Sequence, residues 1–154
     1  MKKLDFISFD KKYVKELNQW QNKENMLGFD GLNQYVVLLD SLLGDYLQFI
    51  DKEMSDISCK LVLKDENLVG FLCFSQQDKD HVHVEVMGIN PDFRGKGISG
   101  QLLTEFKQKL LEKHGSTKLT LSVNKNNDSG IRSFSKIGAK SQTQNKPNYI
   151  NYEI

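Results

Sequence analysis

The stretch Ile89–Leu103, INPDFRGKGISGQLL, decides how this chain is read. The strand-like run His81–Ile89 leads into it, and apolar residues at helical spacing follow. Between them lies a glycine-rich turn carrying Arg94 and Lys96. Such a turn can aim several backbone N–H groups at one point, and the helix after it adds the positive end of its dipole. Gly95 and Gly97 have no Cβ, so a bulky anion can come close to the backbone. The turn is therefore a candidate site for a phosphate or pyrophosphate.

Spacing separates the families that share such turns. A P-loop needs G-x-x-x-x-G-K-[ST]. Lys96 does follow Gly95, but Asn90 stands where the first glycine belongs and Gly97 replaces the magnesium-binding hydroxyl. Gly95–Gly100 matches G-x-G-x-x-G literally. A dinucleotide fold, however, places its glycines at the strand end and an acid about 20 residues later. Here Asn90–Arg94 intervenes, and the next strand-like run, Lys118–Asn124, carries no acid.

The same stretch resembles the acyl-CoA-binding signature of the GNAT-type N-acetyltransferases, R/Q-x-x-G-x-G/A. Arg94, Gly97 and Ser99 take the three marked places, with Gly95, Lys96 and Ile98 between them. Ser99 departs from Gly/Ala but is small. Ile89 and Pro91 before the turn, Phe93 before the arginine and the Leu102-Leu103 pair agree as well. The resemblance is clearest over about residues 81–139 and architectural over the N-terminal half.

Composition sets the frame. At 154 residues the chain fits one domain over 1–154 with a single core. With 38% hydrophobic and 27% charged residues it suits a soluble protein, and a formal net charge of +1 speaks against dependence on nucleic acid or an anionic membrane. No stretch reaches the ~20 apolar residues of a membrane span, and Met1–Asp10 does not read as a signal peptide. Cys59 and Cys73 lie in separate strand-like runs and read as reduced thiols of a cytoplasmic protein.

Patterning gives the element order β-α-α-β-β-β-α-β-α-β-β. Leu4–Phe9 alternates like a strand, and Asp10 caps a helix from Lys11 to about Gln21 with Tyr13, Val14, Leu17 and Trp20 along one stripe. Asn22–Leu32 reads as a loop and Tyr35–Ile50 as a helix. Cys59–Lys64 and Leu68–Ser75 form a hairpin around Lys64–Asn67. His81–Ile89 is a fourth strand, and a helix from Ile98 ends at Gly115. Lys118–Asn124 is a fifth strand. A short helix over Asp128–Ile137 starts at Asn127 or Asp128. Ala139–Thr143 and Tyr149–Ile154 pair as the last two strands, whose edges could serve a homodimer. The resemblance implies a GNAT-like α/β (α+β) fold. That fold has a mixed, mostly antiparallel sheet of six to seven strands and about four flanking helices. It also implies that His81–Ile89 and Lys118–Asn124 splay apart into a slot for the pantetheine arm.

The chemistry implied is transfer of an acetyl group from acetyl-CoA, as cosubstrate, to a primary amine, with no metal. The edge at Met87, Gly88 and Ile89 would pair with the pantetheine, and an N–H there would polarise the thioester carbonyl. Gly88 suits a bulge at that point. For the base, His81, His83 and Glu85 share one face by their period of two, opposite Val82, Val84 and Val86. His83 stands where some relatives carry a glutamate base, and an imidazole titrating near ~6.5 suits that task. Glu85 is the second candidate, and solvent is the third. Asn127 would bond the CoA arm. Phe134 stands where relatives carry the tyrosine that protonates the departing thiolate; its ring can line the slot but cannot donate. A non-catalytic acyl-CoA-binding domain is thus the rival reading. The acceptor's pocket wall falls to Met26–Leu32 and Tyr35–Met54.

Overall fold

The structure, a computed structural model, describes residues 3–8, 10–23, 58–115, 117–142 and 148–154. The expected loop over 22–32, the helix over 35–50 and the acceptor wall lie almost wholly outside these residues. The described strands are β1 (Asp5–Ser8), β2 (Ser58–Lys64), β3 (Asn67–Asp78), β4 (His81–Ile89), β5 (Lys118–Asn124), β6 (Lys140–Gln142) and β7 (Tyr149–Glu153). The helices are α1 (Val14–Lys23), α2 (Ile98–His114) and α3 (Asp128–Lys136). The strands form one sheet in the order β1-β2-β3-β4-β5-β7-β6. The β4–β5 pair is parallel, and the other neighbours run antiparallel.

Local chemistry explains the boundaries. The Asp10 carboxylate accepts from Lys12 N at 2.9 Å, but the first turn is a 3-10 turn over Lys11–Tyr13, and only then does α1 begin. At the β2–β3 hairpin Asp65 and Glu66 both take positive φ, 51° and 67°, the twist that closes a two-residue loop. Asn67 Nδ2 donates to Asp65 O at 3.2 Å across that turn. Gly115 ends α2 at φ 81°, its N–H bonded to Leu111 O.

The sheet is covered on both faces. On one, Val62, Leu72, Val82, Val84, Leu119 and Leu121 pack with Leu102, Leu103, Phe106 and Leu110 of α2. Phe106 lies 4.9 Å from Phe74 and 6.0 Å from Phe6, ring centre to ring centre. On the other, Trp20 of α1 stacks on Phe71 at 6.2 Å, and Leu17 beside it is 1% exposed. A sheet buried on both faces by separate helices leaves its splayed centre as the natural opening for a ligand.

Candidate active site

The splay is present. β4 and β5 pair only from His81↔Lys118 to Val84↔Leu121. Beyond that point β4 stays with β3, through Gly70↔Ile89, while Ser122–Asn124 continue with β7. The two strands part at the foot of Glu85–Ile89, the segment assigned to the pantetheine.

A bulge lies on β4, but at Glu85 rather than at the expected Gly88. Phe74 pairs with Val84 and Cys73 with Val86, so Glu85 is the extra residue. One inserted residue reverses the alternation. Val82 and Val84 before it, and Met87 and Ile89 after it, therefore all pack on the α2 side of the sheet. Gly88 pairs in register with Phe71, and its lack of a side chain makes room for that ring.

The bulge gathers the polar residues on the opposite face. Glu85 Oε1 accepts from Ser75 Oγ at 2.5 Å, and Ser75 Oγ accepts from Gln77 Nε2 at 2.7 Å. His81 Nε2 and His83 Nδ1 both reach Thr120 Oγ1, at 2.7 and 2.8 Å. Ser75 and Thr120 are each 3% exposed. The shared face expected for His81, His83 and Glu85 is thus bound into its neighbours, and each candidate base rests on a buried hydroxyl. Ser75 and Thr120 escaped the sequence reading because their partners lie on other strands. The one available signal was Thr120 alternating with Leu119 and Leu121.

Cys59 and Cys73, expected as reduced thiols in separate strands, are register partners across β2–β3, and both are free thiols. Contact with the Cys59 thiol, then burial, then the nearby Glu85 carboxylate hold the Cys73 thiol well above its ordinary value. Among the described residues no three His, Cys, Asp or Glu side chains are grouped to hold a metal ion.

The phosphate turn has the open form expected of it. Asn90 anchors it: Nδ2 donates to Leu68 O at 2.9 Å, Oδ1 accepts from Asp92 N at 3.0 Å, and its own N–H reaches Val69 O at 2.8 Å. Pro91–Phe93 then makes a 3-10 turn. Gly95 and Gly97 take φ of 75° and 77°, and a Cβ on either would meet no atom within 4 Å. Gly97 is the N-cap of α2 with no side-chain cap, so the first-turn N–H groups from Ile98, Ser99 and Gly100 face the turn. Lys96 Nζ lies over the Phe93 ring at 5.3 Å. Asn90 entered the sequence reading only as a mismatch to another motif, yet its side chain fixes the turn to the sheet.

On the other wall Asn127 caps α3, its Oδ1 accepting from Gly130 N at 3.0 Å. A Cβ at residue 130 would fall 2.8 Å from Asn127 Nδ2, which accounts for glycine there. Phe134 is 4% exposed and meets Tyr152 edge-on, with centroids 5.6 Å apart. Its ring belongs to the core.

Known proteins share sequence and fold with this chain. Over 55 residues, 36% of this chain, the sequence is 38% identical to mycothiol acetyltransferase of Corynebacterium aurimucosum. The matched stretch is only 18% of that protein's length, and at most 39% of two further acetyltransferases. In fold the chain resembles AAC(6')-Ib, solved with paromomycin and acetyl-CoA, at a TM-score of 0.76 and 14% identity over 99% of this chain and 92% of that one. It also resembles the Campylobacter jejuni N-acetyltransferase PseH, solved with acetyl coenzyme A, at 0.67 and 14% over 98% and 97%. The model of the acetyltransferase (GNAT) family matches residues 14–139, and the chain belongs to that family.

Proposed function

We propose that this protein transfers an acetyl group from acetyl-CoA to a primary amine by direct attack on the thioester. The observation that carries this reading is the place where β4 leaves β5. It lies two residues past His83, at Glu85, and on the same strand that leads into the Arg94–Ser99 turn. Base, thioester slot and pyrophosphate turn thus follow one another along a single strand and loop.

In this reading the N–H groups of Gly95–Ser99 hold the pyrophosphate, with Arg94 and Lys96 adding charge. The β4 edge at Met87–Ile89 pairs with the pantetheine and an N–H there polarises the carbonyl, the interaction that usually contributes most. The Asn127 amide N–H₂ group, whose oxygen is committed to the cap, serves the CoA arm. His83 or Glu85 takes the proton of the amine as the C–N bond forms; the C–S bond then breaks and the thiolate takes a proton from solvent. Cys59 and Cys73, unlinked although opposite, suit the cytoplasm.

The test is release of the CoA thiol from acetyl-CoA with a panel of amines: paromomycin, single amino acids and a peptide with a free N-terminus. Transfer to one of them is the expected result. His83→Ala and Glu85→Gln are then compared by kcat/KM against pH, and the base is the residue whose loss removes the acidic limb, with a general-base contribution of about 10²–10⁴. Phe134 in place of a tyrosine favours a second reading, an acyl-CoA sensor. Tight CoA binding with no transfer to any amine would establish it.

A further inference from the structure

We infer that Thr120 is a positioning residue that locks the tautomer of His83 and couples it to His81. Resting on the proposed acetyl transfer, this assigns His83 the proton-accepting role and Nε2 as the atom that plays it. Two imidazole nitrogens, His81 Nε2 and His83 Nδ1, converge on Thr120 Oγ1 at 2.7 and 2.8 Å. Thr120 is 3% exposed and sits beside His83 in the parallel register. A threonine hydroxyl has one hydrogen and two lone pairs. It can donate to only one of the rings, so at least one ring must present an N–H to it.

One arrangement satisfies these three atoms with both rings neutral and also serves a base. His83 donates from Nδ1 to Thr120, and Thr120 donates to His81 Nε2. The ring nitrogen that makes a fixed hydrogen bond sets which nitrogen is left to accept a proton. Here Nδ1–H is fixed, and Nε2 of His83 takes the proton from the amine. The imidazolium that forms strengthens the same bond, because a charged donor binds the hydroxyl oxygen more tightly. A base oriented through a third group is a recurring catalytic arrangement.

Charging both rings at once would point two N–H donors at one oxygen and set two like charges close together. The hydrogen-bonding state of one ring therefore constrains the other through Thr120. Among the described residues, the groups around them include Glu85 on β4, Cys73 and Asp78 on β3, Lys118 on β5 and Glu153 on β7. Asp78 and Lys118 flank His81 in register, and Lys118 Nζ lies 3.9 Å from Glu153 Oε1, so this end carries charges of both signs.

Nitrogen-15 spectra of the histidine rings test this in the protein without ligand, across a pH titration. In the native chain the neutral His83 ring should carry its hydrogen on Nδ1. Thr120→Val should shift that hydrogen toward Nε2, and Thr120→Ser should restore it. His81→Gln should move the titration midpoint of His83, which gives a readout should the valine variant not fold. A native His83 carrying its hydrogen on Nε2 would overturn the assignment. So would a tautomer unchanged in Thr120→Val, or a midpoint unmoved in His81→Gln. With an accepted amine in hand, Thr120→Val should lower kcat about 10–100-fold, less than loss of a whole general base can cost, with KM nearly unchanged and recovery in Thr120→Ser. These spectra need no turnover, so a protein that transfers no acetyl group but shows the tautomer shift refutes the proposed activity and not the lock.

Discussion

Gly88 lies directly under the ring of Phe71: a Cβ on Gly88 would stand 2.3 Å from Phe71 Cε1 and 2.7 Å from Cζ. Phe71 is fully buried and stacks on Trp20 of α1. The strand edge assigned to the thioester is therefore packed, through one aromatic ring, against the helix on the far face. Gly88→Ala must push Phe71 out of place. Overpacking of this kind costs about 1–3 kcal/mol, read as a lower urea midpoint. Acetyl-CoA affinity should fall with it, because the β4 edge shifts. An alanine variant of native stability would show that the ring moves freely.

The turn obeys a different constraint. Gly97 has φ 77° and open space around it, so a Cβ there meets no protein atom within 4 Å. Gly97→Ala should lose about 1–2 kcal/mol of stability through the left-handed backbone alone. Gly115→Ala, at φ 81° and ψ −52° and equally open at the other end of α2, should lose at least as much. Only the Gly97 variant should weaken CoA in calorimetry, and Gly97→Val should weaken it further. Equal CoA affinity in the Gly97 and Gly115 variants would remove the turn from the binding site.

The strand and helix order could be read from the sequence because each element carries its own period. His81–Ile89 and Lys118–Asn124 match their observed bounds, and Gly115 and Asn127 end and begin helices where their chemistry places them. What escaped depends on partners far along the chain. The bulge at Glu85 follows from how β3 and β4 align, which no single strand encodes. Thr120 and Ser75 become site residues only when β5 and β3 are laid beside β4. Asn90 looked like a loop residue, and its anchor is Leu68, 22 positions earlier. Motif glycines are legible because backbone geometry is local; hydroxyls that orient a base are not.

Cys73 supplies a pH dependence. Its folded-state thiol is held well above the ordinary 9.0, chiefly by the Cys59 thiol and by burial, so the folded protein keeps a proton that the unfolded chain gives up first. The unfolded state then binds fewer protons, and stability falls as pH rises. The contribution is fully present below pH 9.0 and is lost progressively above it, toward the raised folded value. Melting temperatures from pH 8 to 11 should fall in the native chain and fall less steeply in Cys73→Ala, whose absolute stability is lower throughout because a buried side chain is shortened. A thiol reagent at pH 8 should label the half-buried Cys59 and leave Cys73 until the protein unfolds. Parallel slopes for both proteins would dismiss this account.

Phe134 carries the last prediction. Its ring is 4% exposed, edge-on to Tyr152, and its carbonyl accepts from Ala139 N at 3.0 Å, so backbone and ring are both fixed. Phe134→Tyr adds one oxygen without altering the ring's shape, and CoA affinity should hold. A hydroxyl buried here without a full set of partners costs about 1–3 kcal/mol, visible as a lower melting temperature without ligand. If the new oxygen reaches the departing sulfur it can donate a proton that phenylalanine cannot. The rate should then stay equal or rise, and kcat should gain a basic limb near the phenol's ~10. The gain stays small, because a thiolate leaves readily and stabilisation of the oxyanion contributes more. The measurement is kcat against pH for both proteins with one accepted amine. Lower stability with no basic limb would place the para position of residue 134 in the core and away from the thioester, and the thiolate would then leave the native enzyme unassisted from this side of the slot.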